Sequence, residues 1–315
     1  MHYADVKEIF VLERWLDPLV PALRAYIRYA PIQAGKKLAL GLLSREFRSL
    51  RHRRFEASTQ FGTRIAGETS DILDAYIYCF GIWEPNLTHW VRSRLRPGDV
   101  FIDVGANIGY FSLLASRLVG DGGAIVAVEA LPETFQRLQR NIELNRASNV
   151  RAVNAAAGAR RGKVRLYRGP ASNRGETTTA ESSGFQPDIE VECLPLAEIL
   201  TPEEARRARI IKIDVEGAEW EVVEGMLPLL GSCRPDLEIM VEINPKYAGP
   251  QGRRPEEILE AFAPFGFRPF RIANPYNPLT YLSSERQAPE PLTGAIDEET
   301  DVILSRQRPD REVSP

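Results

Sequence analysis

Two groups of residues in this 315-residue sequence could do chemistry, and both fall at the ends of apolar runs. Phe101-Ile-Asp-Val-Gly-Ala-Asn-Ile-Gly109 reads as a strand that passes through a glycine-bearing turn into a helix starting near Tyr110. Gly105 can take positive φ and let a ligand approach where a Cβ would intrude, and Gly109 permits close packing at the helix start. The unpaired N–H groups there suit a carboxylate. The next apolar run ends at Glu129, whose carboxylate can accept hydrogen bonds from both hydroxyls of a ribose. Later runs end in Asp214, with Glu216 and Glu219 just beyond, and in Glu242 and Asn244.

A dinucleotide turn of the G-x-G-x-x-G form would need glycine where Asn107 and Tyr110 stand, which disfavours a nicotinamide cofactor. Taken singly, the glycines could be a tight connection and Glu129 a solvated strand end. In order, on consecutive strands, they point to a nucleoside ligand.

The elements that must position these residues are legible as alternating apolar runs and helical patterns. Strands are expected at 100–104, 125–129, 150–154, 210–214, 237–243, 267–272 and 302–304. Helices are expected at 110–118 and 132–145, then around Trp220, Val223 and Leu227, and around Ile258, Leu259 and Phe262, the last ended by Gly266. This alternation predicts an α/β fold with a doubly wound, mostly parallel sheet, whose function gathers at the carboxyl ends of its strands. Ahead of it, helices near 6–16, 21–29 and 37–53 suggest a helical N-terminal extension. The expected division is 1–68 for the extension, 69–308 for the ligand-binding domain and 309–315 for a tail. Gly169–Pro187 and Asn274–Glu299 read as long loops of the kind that serve as lids or substrate loops.

Composition narrows the function classes. Lys plus Arg (40) nearly balance Asp plus Glu (43), so nothing global points to nucleic acid. Three cysteines, Cys79, Cys193 and Cys233, form no C-x-x-C pattern, and neither a secretory leader nor a membrane span is evident; a cytoplasmic protein is expected. Basic residues cluster at 36–54 on a helix with apolar spacing. That pattern suits packing on its own domain or docking on an anionic membrane surface or a partner.

Several segments together resemble the FkbM-type family of S-adenosylmethionine-dependent methyltransferases. They are Gly81-Ile-Trp-Glu-Pro85, Pro97-Gly-Asp, Asp103-Val-Gly-Ala-Asn-Ile-Gly-Tyr-Phe-Ser112, Val128-Glu129, Asn141-Ile-Glu-Leu-Asn145, Asn173-Arg-Gly175 and Ile213-Asp-Val-Glu-Gly-Ala-Glu219. The resemblance spans roughly Ile72 to Asn244. It implies a Rossmann-like sheet of seven strands whose last strand, 302–304, is antiparallel, with S-adenosylmethionine as methyl donor. It further implies that Asp103, Gly105, Ala106, Asn107, Gly109 and Tyr110 line the methionine end, that Glu129 holds the ribose, and that the turn at Ala155–Gly158, with Ala156, lies near the adenine.

Methyl transfer to an alcohol needs alignment, exclusion of water and removal of the hydroxyl proton. Asp214, Glu216 and Glu242 are the candidate catalytic carboxylates, one of them as general base with a pKa raised by burial. Of the histidines His2, His52 and His89, none offers a better base. Glu216 and Glu219 could instead cap a helix start. No metal ligand is assigned and Mg²⁺ is not expected, although Asp214, Glu242 and Asn244 are oxygen donors of the kind it takes. The expected acceptor is a small hydroxylated molecule, glycoside or glycolipid. Rival readings are a nicotinamide-dependent oxidoreductase and a non-catalytic nucleoside-binding protein.

Overall fold

The computed structural model describes residues 19–30, 34–49 (backbone alone at 44–49) and 54–307, apart from 171, 174, 176, 180, 182–184, 249–251 and 284. The helix expected at 6–16, the tail at 309–315, His2 and His52 lie outside the described residues. So do the side chains of Arg45, Arg48, Arg51 and Arg53 in the basic segment.

The chain divides into two compact units: everything up to Trp83 with Pro275–Glu285, and Glu84–Asn274 with the residues from Arg286 onward. The first unit holds helices α1 (Val20–Tyr29) and α2 (Lys36–Ser49), an antiparallel hairpin of β1 (Arg54–Ser58) and β2 (Arg64–Glu68), and helix α3 (Ile72–Phe80). Ala39, Leu40 and Leu43 of α2 are buried with Ile27, Ala57, Tyr78 and Phe80, so part of the apolar face of the basic helix packs into its own unit. Lys36 is buried as well, while Leu38 on the other side is 70% exposed. Arg28 ties α1 to the end of α3 by donating to the carbonyls of Ile77 (2.7 Å) and Cys79 (3.0 Å), the place where a helix leaves acceptors and favours cations.

Besides helices of the kind expected, this unit holds a hairpin, and it runs past 68 to Trp83. The hairpin escaped notice because its buried face is built from Ala57, Ile65 and Gly67, and so few large apolar residues leave a faint period-2 signal. The expected loop at 274–299 contributes Tyr281 and Leu282 to the same core, and Tyr276 stacks on Trp83 at 5.4 Å.

In the second unit the chain order is α4 (Pro85–Arg94), β3 (Val100–Val104), α5 (Tyr110–Val119), β4 (Ala124–Val128), α6 (Pro132–Asn145), β5 (Val150–Val153), β6 (Ala156–Ala157), β7 (Gly162–Tyr167) and β8 (Pro187–Leu194). There follow α7 (Leu196–Ile199), α8 (Pro202–Arg207), β9 (Ala208–Ile213), α9 (Glu219–Met226), β10 (Glu238–Ile243), α10 (Pro245–Ala248), α11 (Glu256–Phe262), β11 (Arg268–Ile272), β12 (Glu290–Pro291) and β13 (Thr300–Ser305). The main sheet has the order β12-β11-β13-β10-β9-β3-β4-β5. Strands β5, β4, β3, β9 and β10 are parallel, and β13 runs antiparallel between β10 and β11. This is the doubly wound sheet expected, with the antiparallel last strand; the two-residue β12 makes it eight strands rather than seven.

β3, β10 and β13 are buried at every residue, which fits the apolar runs Val100–Ile102, Ile239–Val241 and Val302–Leu304 within them. Ile102, Ile211, Ile213, Val222, Met226, Val241 and Phe262 pack in one core between the sheet and its helices. The chain winds away from β3 in both directions, to β4 on one side and β9 on the other. A crevice therefore opens beyond the carboxyl ends of these strands.

A second sheet, β6-β8-β7, was not anticipated. Its outer face carries charge, with Lys163 on Glu190 at 3.3 Å, and its long strands β7 and β8 bury Leu166, Tyr167, Val191 and Cys193 below it. Alternating charged residues with so thin an apolar face read as loop.

Candidate active site

The turn after β3 is shaped by backbone contacts that only glycine allows. Gly105 has φ +81°, and a Cβ there would sit 1.7 Å from the carbonyl oxygen of Asp214 on the neighbouring strand end. Gly105 and Ala106 both donate their N–H to Val128 O at 2.9 Å, pinning the turn over β4. Gly109, at φ +90°, is the N-cap of α5 and lies where a Cβ would meet Leu138 at 2.6 Å.

Glu129 is coupled directly to this turn. Its Oε2 accepts from Asn107 N and its Oε1 from Leu131 N, each at 2.9 Å. A carboxylate has about four acceptor positions, so two remain for a ligand's hydroxyls. Burial pushes the Glu129 carboxyl up to about 7, against the two backbone donors that favour its ionised form.

Asp103 lies one strand residue before the turn, 1% exposed, with Oδ2 accepting from Ser112 Oγ at 2.5 Å. Its Oδ1 is buried without a hydrogen-bond partner, an acceptor that a ligand's ammonium would satisfy. Burial raises the Asp103 pKa, and Lys212 opposes that. Lys212, on β9 and 4% exposed, donates to Asp214 Oδ2 at 2.7 Å. Burial alone would lower the Lys212 pKa, but Asp214, Asp103 and Glu84 outweigh it and raise it.

At the ends of β9 and β10, ligand oxygens of Asp214, Glu216 and Glu242 lie within 4.8 Å of one another. The Glu242 carboxyl is raised well above its ordinary value, first by burial and then by Asp214, Asp301 and Glu216. Asp301 stands directly opposite Glu242 in the β10–β13 register and is raised too, by burial and by Asp214, although Asn274 donates to its Oδ2 at 2.6 Å.

The structure thus brings Asp103, Gly105, Asn107, Gly109 and Glu129 to one edge of the crevice, and Asp214, Glu216 and Glu242 beside them. Three of the expected residues turn their side chains into the core. The Ala106 side chain packs on Ala127 and Leu138. Tyr110 is 2% exposed, with its hydroxyl 3.1 Å from Thr88 Oγ1. Ala156 is a strand residue paired with Cys193 and packed against Leu131 and Leu166. None of these three presents a side chain to the crevice, because each serves the core below it.

The capping alternative separates the two glutamates. Glu219 opens α9, and its Oε1 accepts from Gly217 N at 2.7 Å, while Glu216 precedes the helix at φ +51°. Asn244 is engaged: its Oδ1 accepts from Lys246 N at 3.1 Å and its Nδ2 donates to Glu299 at 2.9 Å. His89 is exposed on α4.

Lys212, Glu84 and Asp301 were missed. The lysine sits inside the run Ile210-Ile-Lys-Ile213, and a charge at a buried strand position was the signal available. Asp301 could be found only from the pairing of β13. The segment 169–187 also reaches the site. Asn173 Oδ1 and Asn107 Nδ2 lie 3.2 and 3.5 Å from where a Gly175 Cβ would be, and the Thr178 hydroxyl donates to the carbonyl of Glu216.

The family model described as "Methyltransferase FkbM domain" matches residues 103–269, more than half of the chain and every residue of this crevice except Glu84 and Asp301. The chain belongs to the methyltransferase FkbM domain family. Curated relatives of this FkbM-family chain include "Methyltransferase sdnD" of Sordaria araneosa, 32% identical over 163 residues, covering 42% of this chain and 62% of that protein. "31-O-demethyl-FK506 methyltransferase FkbM" of Streptomyces tacrolimicus is 30% identical over 167 residues, covering 44% and 63%. "Hexuronic acid methyltransferase AglP" of Haloferax volcanii is 28% identical over 165 residues, covering 52% and 65%. The match thus spans less than two thirds of the length of each of these relatives.

Proposed function

We propose that this chain is an S-adenosylmethionine-dependent methyltransferase that acts on a hydroxyl of a small molecule, glycoside or glycolipid. The observation that carries the reading is the junction of the two strand ends: a turn open at Gly105, whose next amide but one, Asn107 N, is held by Glu129. Relatives named for a 31-O-demethyl substrate and for a hexuronic acid favour oxygen as the methyl acceptor.

The residues present fit the cofactor. The buried orphan Oδ1 of Asp103 and the open backbone at Gly105 suit an amino-acid end, and the two spare acceptor positions of Glu129 suit a sugar diol. When bound, S-adenosylmethionine supplies a methyl group made electrophilic by its sulfonium. The chain's part is to align an acceptor hydroxyl with that methyl and to take the hydroxyl proton onto a carboxylate among Asp214, Glu216 and Glu242. A carboxyl raised by burial and by its neighbours, as Glu242 is, is the stronger base once ionised. Lys212 keeps Asp214 oriented through their 2.7 Å ion pair.

The test is titration calorimetry with S-adenosylmethionine and its demethylated product, followed by turnover on a panel of hydroxylated acceptors. Binding of both with micromolar affinity and transfer to an oxygen are expected. Failure to bind either would overturn the reading, and binding without transfer to any oxygen acceptor would restrict it to a nucleoside-binding role.

A further inference from the structure

Among the described residues, the acids of this crevice are unevenly partnered. Asp214, Glu216, Glu242 and Asp301 gather at the ends of β9, β10 and β13, and the Lys212 ammonium is committed to Asp214 Oδ2 at 2.7 Å. Buried charges persist when they are paired or coordinate a metal. Two of these acids are short of partners. Glu242 is 7% exposed, and among the described residues no donor reaches its carboxylate; Asp301, also 7% exposed, has Oδ1 buried without a hydrogen bond.

We propose that Asp214, Glu216 and Glu242 form a binding site for a divalent cation of the hard, oxygen-seeking kind, such as Mg²⁺ or Mn²⁺. Their ligand oxygens lie within 4.8 Å of one another, which is the span of a single coordination sphere with metal–oxygen bonds of about 2.1 to 2.4 Å. All the donors are carboxylates, the set that selects Mg²⁺, Mn²⁺ or Ca²⁺ over softer metals. Asp214 reaches Lys212 through Oδ2 and keeps Oδ1 for the cation. Asp301 stands across the ladder from Glu242 and adds negative potential.

Asn244, the neutral oxygen donor that the sequence placed beside these acids, is committed to Lys246 N and Glu299, and Glu216 takes its place in the cluster. A cation there would stand beside the acceptor hydroxyl and favour loss of its proton. That consequence rests on the methyl-transfer reading; the binding does not.

The experiment is a titration of the full chain with Mn²⁺, followed by the fall in the free-ion electron paramagnetic resonance signal, with and without the demethylated cofactor. One site per chain is expected, displaced by excess Mg²⁺ or Ca²⁺, with affinity lowered at least tenfold in both Glu242→Gln and Glu216→Gln. Thermal melts run alongside keep folding in view. Glu242→Gln removes a repulsive charge, so its metal-free melting temperature should match or exceed the wild type, and the rise that Mn²⁺ produces in the wild type should vanish. No stoichiometric Mn²⁺ binding by the folded wild type, or binding that both substitutions leave unchanged, overturns the proposal. Because cofactor affinity is measured on the same samples, failure of the cation site and failure of the methyltransferase reading give different results.

Discussion

Two carboxylate neighbourhoods face each other across the switch point of the sheet, and they solve the problem of buried negative charge in opposite ways. At the β3–β4 end, Glu129 is held by two backbone N–H groups at 2.9 Å, and two of its about four acceptor positions are left for a ligand. At the β9–β10–β13 end, Asp214 is paired with the Lys212 ammonium and Asp301 accepts from Asn274, while Glu242 has no donor among the described residues. A carboxylate satisfied by fixed backbone donors is preorganised to receive hydroxyls. A cluster that satisfies itself poorly holds its charge in reserve for something that arrives, whether proton or cation.

The sharpest way to break this contrast is to close the gap between its halves. Gly105→Ala puts a methyl group into the Asp214 carbonyl and a side chain at φ +81°, so we expect a loss of about 5 kcal/mol and no detectable cofactor binding. Denaturant melts with calorimetry read this, and a stable variant that still binds would show that the turn is looser than its contacts imply.

Next in size is Lys212→Met, which leaves the buried Asp103 and the half-buried Asp214 near each other without that counter-charge. We expect destabilisation of about 3 kcal/mol in urea at neutral pH. Lys212→Arg should recover part of it. A cost under about 1 kcal/mol would mean that the acids shed their charge without help.

On the other side, Glu129→Ala removes the ribose acceptor and releases Asn107 N and Leu131 N, and weaker binding of the demethylated cofactor by about 30-fold, or roughly 2 kcal/mol, is expected. An unchanged affinity would detach Glu129 from the ligand.

The smallest effect is a pH profile. The native Glu129 carboxyl titrates at about 7 against an ordinary value of 4.5. Between these values the native state keeps a proton that the unfolded state has released. Its contribution to stability is therefore full below about pH 4.5 and is lost as pH rises through about 7. Ligand hydroxyls favour the ionised form, so cofactor affinity should rise by about tenfold from pH 6 to 8 and level off above, and Glu129→Gln should flatten the curve. A wild-type profile flat over this interval would place the Glu129 carboxylate outside the binding equilibrium.

Much of this was written in the chain order. β3, β10 and β13 are buried on both faces, and each carries a short apolar run, Val100–Ile102, Ile239–Val241 and Val302–Leu304. The glycine turn and α6 carry strong local signals in positive-φ glycines and an N-terminal proline. Elements with a thin apolar face were not legible: the β1–β2 hairpin, built on Ala57 and Gly67, and the charged β6-β8-β7 sheet. The side-chain directions of Tyr110 and Ala156 were not legible either, since which side of a turn a residue faces depends on what packs beneath it.

The sequence by itself determined the doubly wound sheet, the pairing of Gly105 with Glu129 and the carboxylates at the ends of β9 and β10, because backbone preference and hydrophobic period are local properties. Only the tertiary structure decided that Lys212 lies under Asp214 and that Asp301 comes home beside Glu242. Likewise, only it shows Asn244 spent on its own turn. Electrostatic company is a matter of distance in space, and strands far apart in the chain become neighbours only once the sheet has closed.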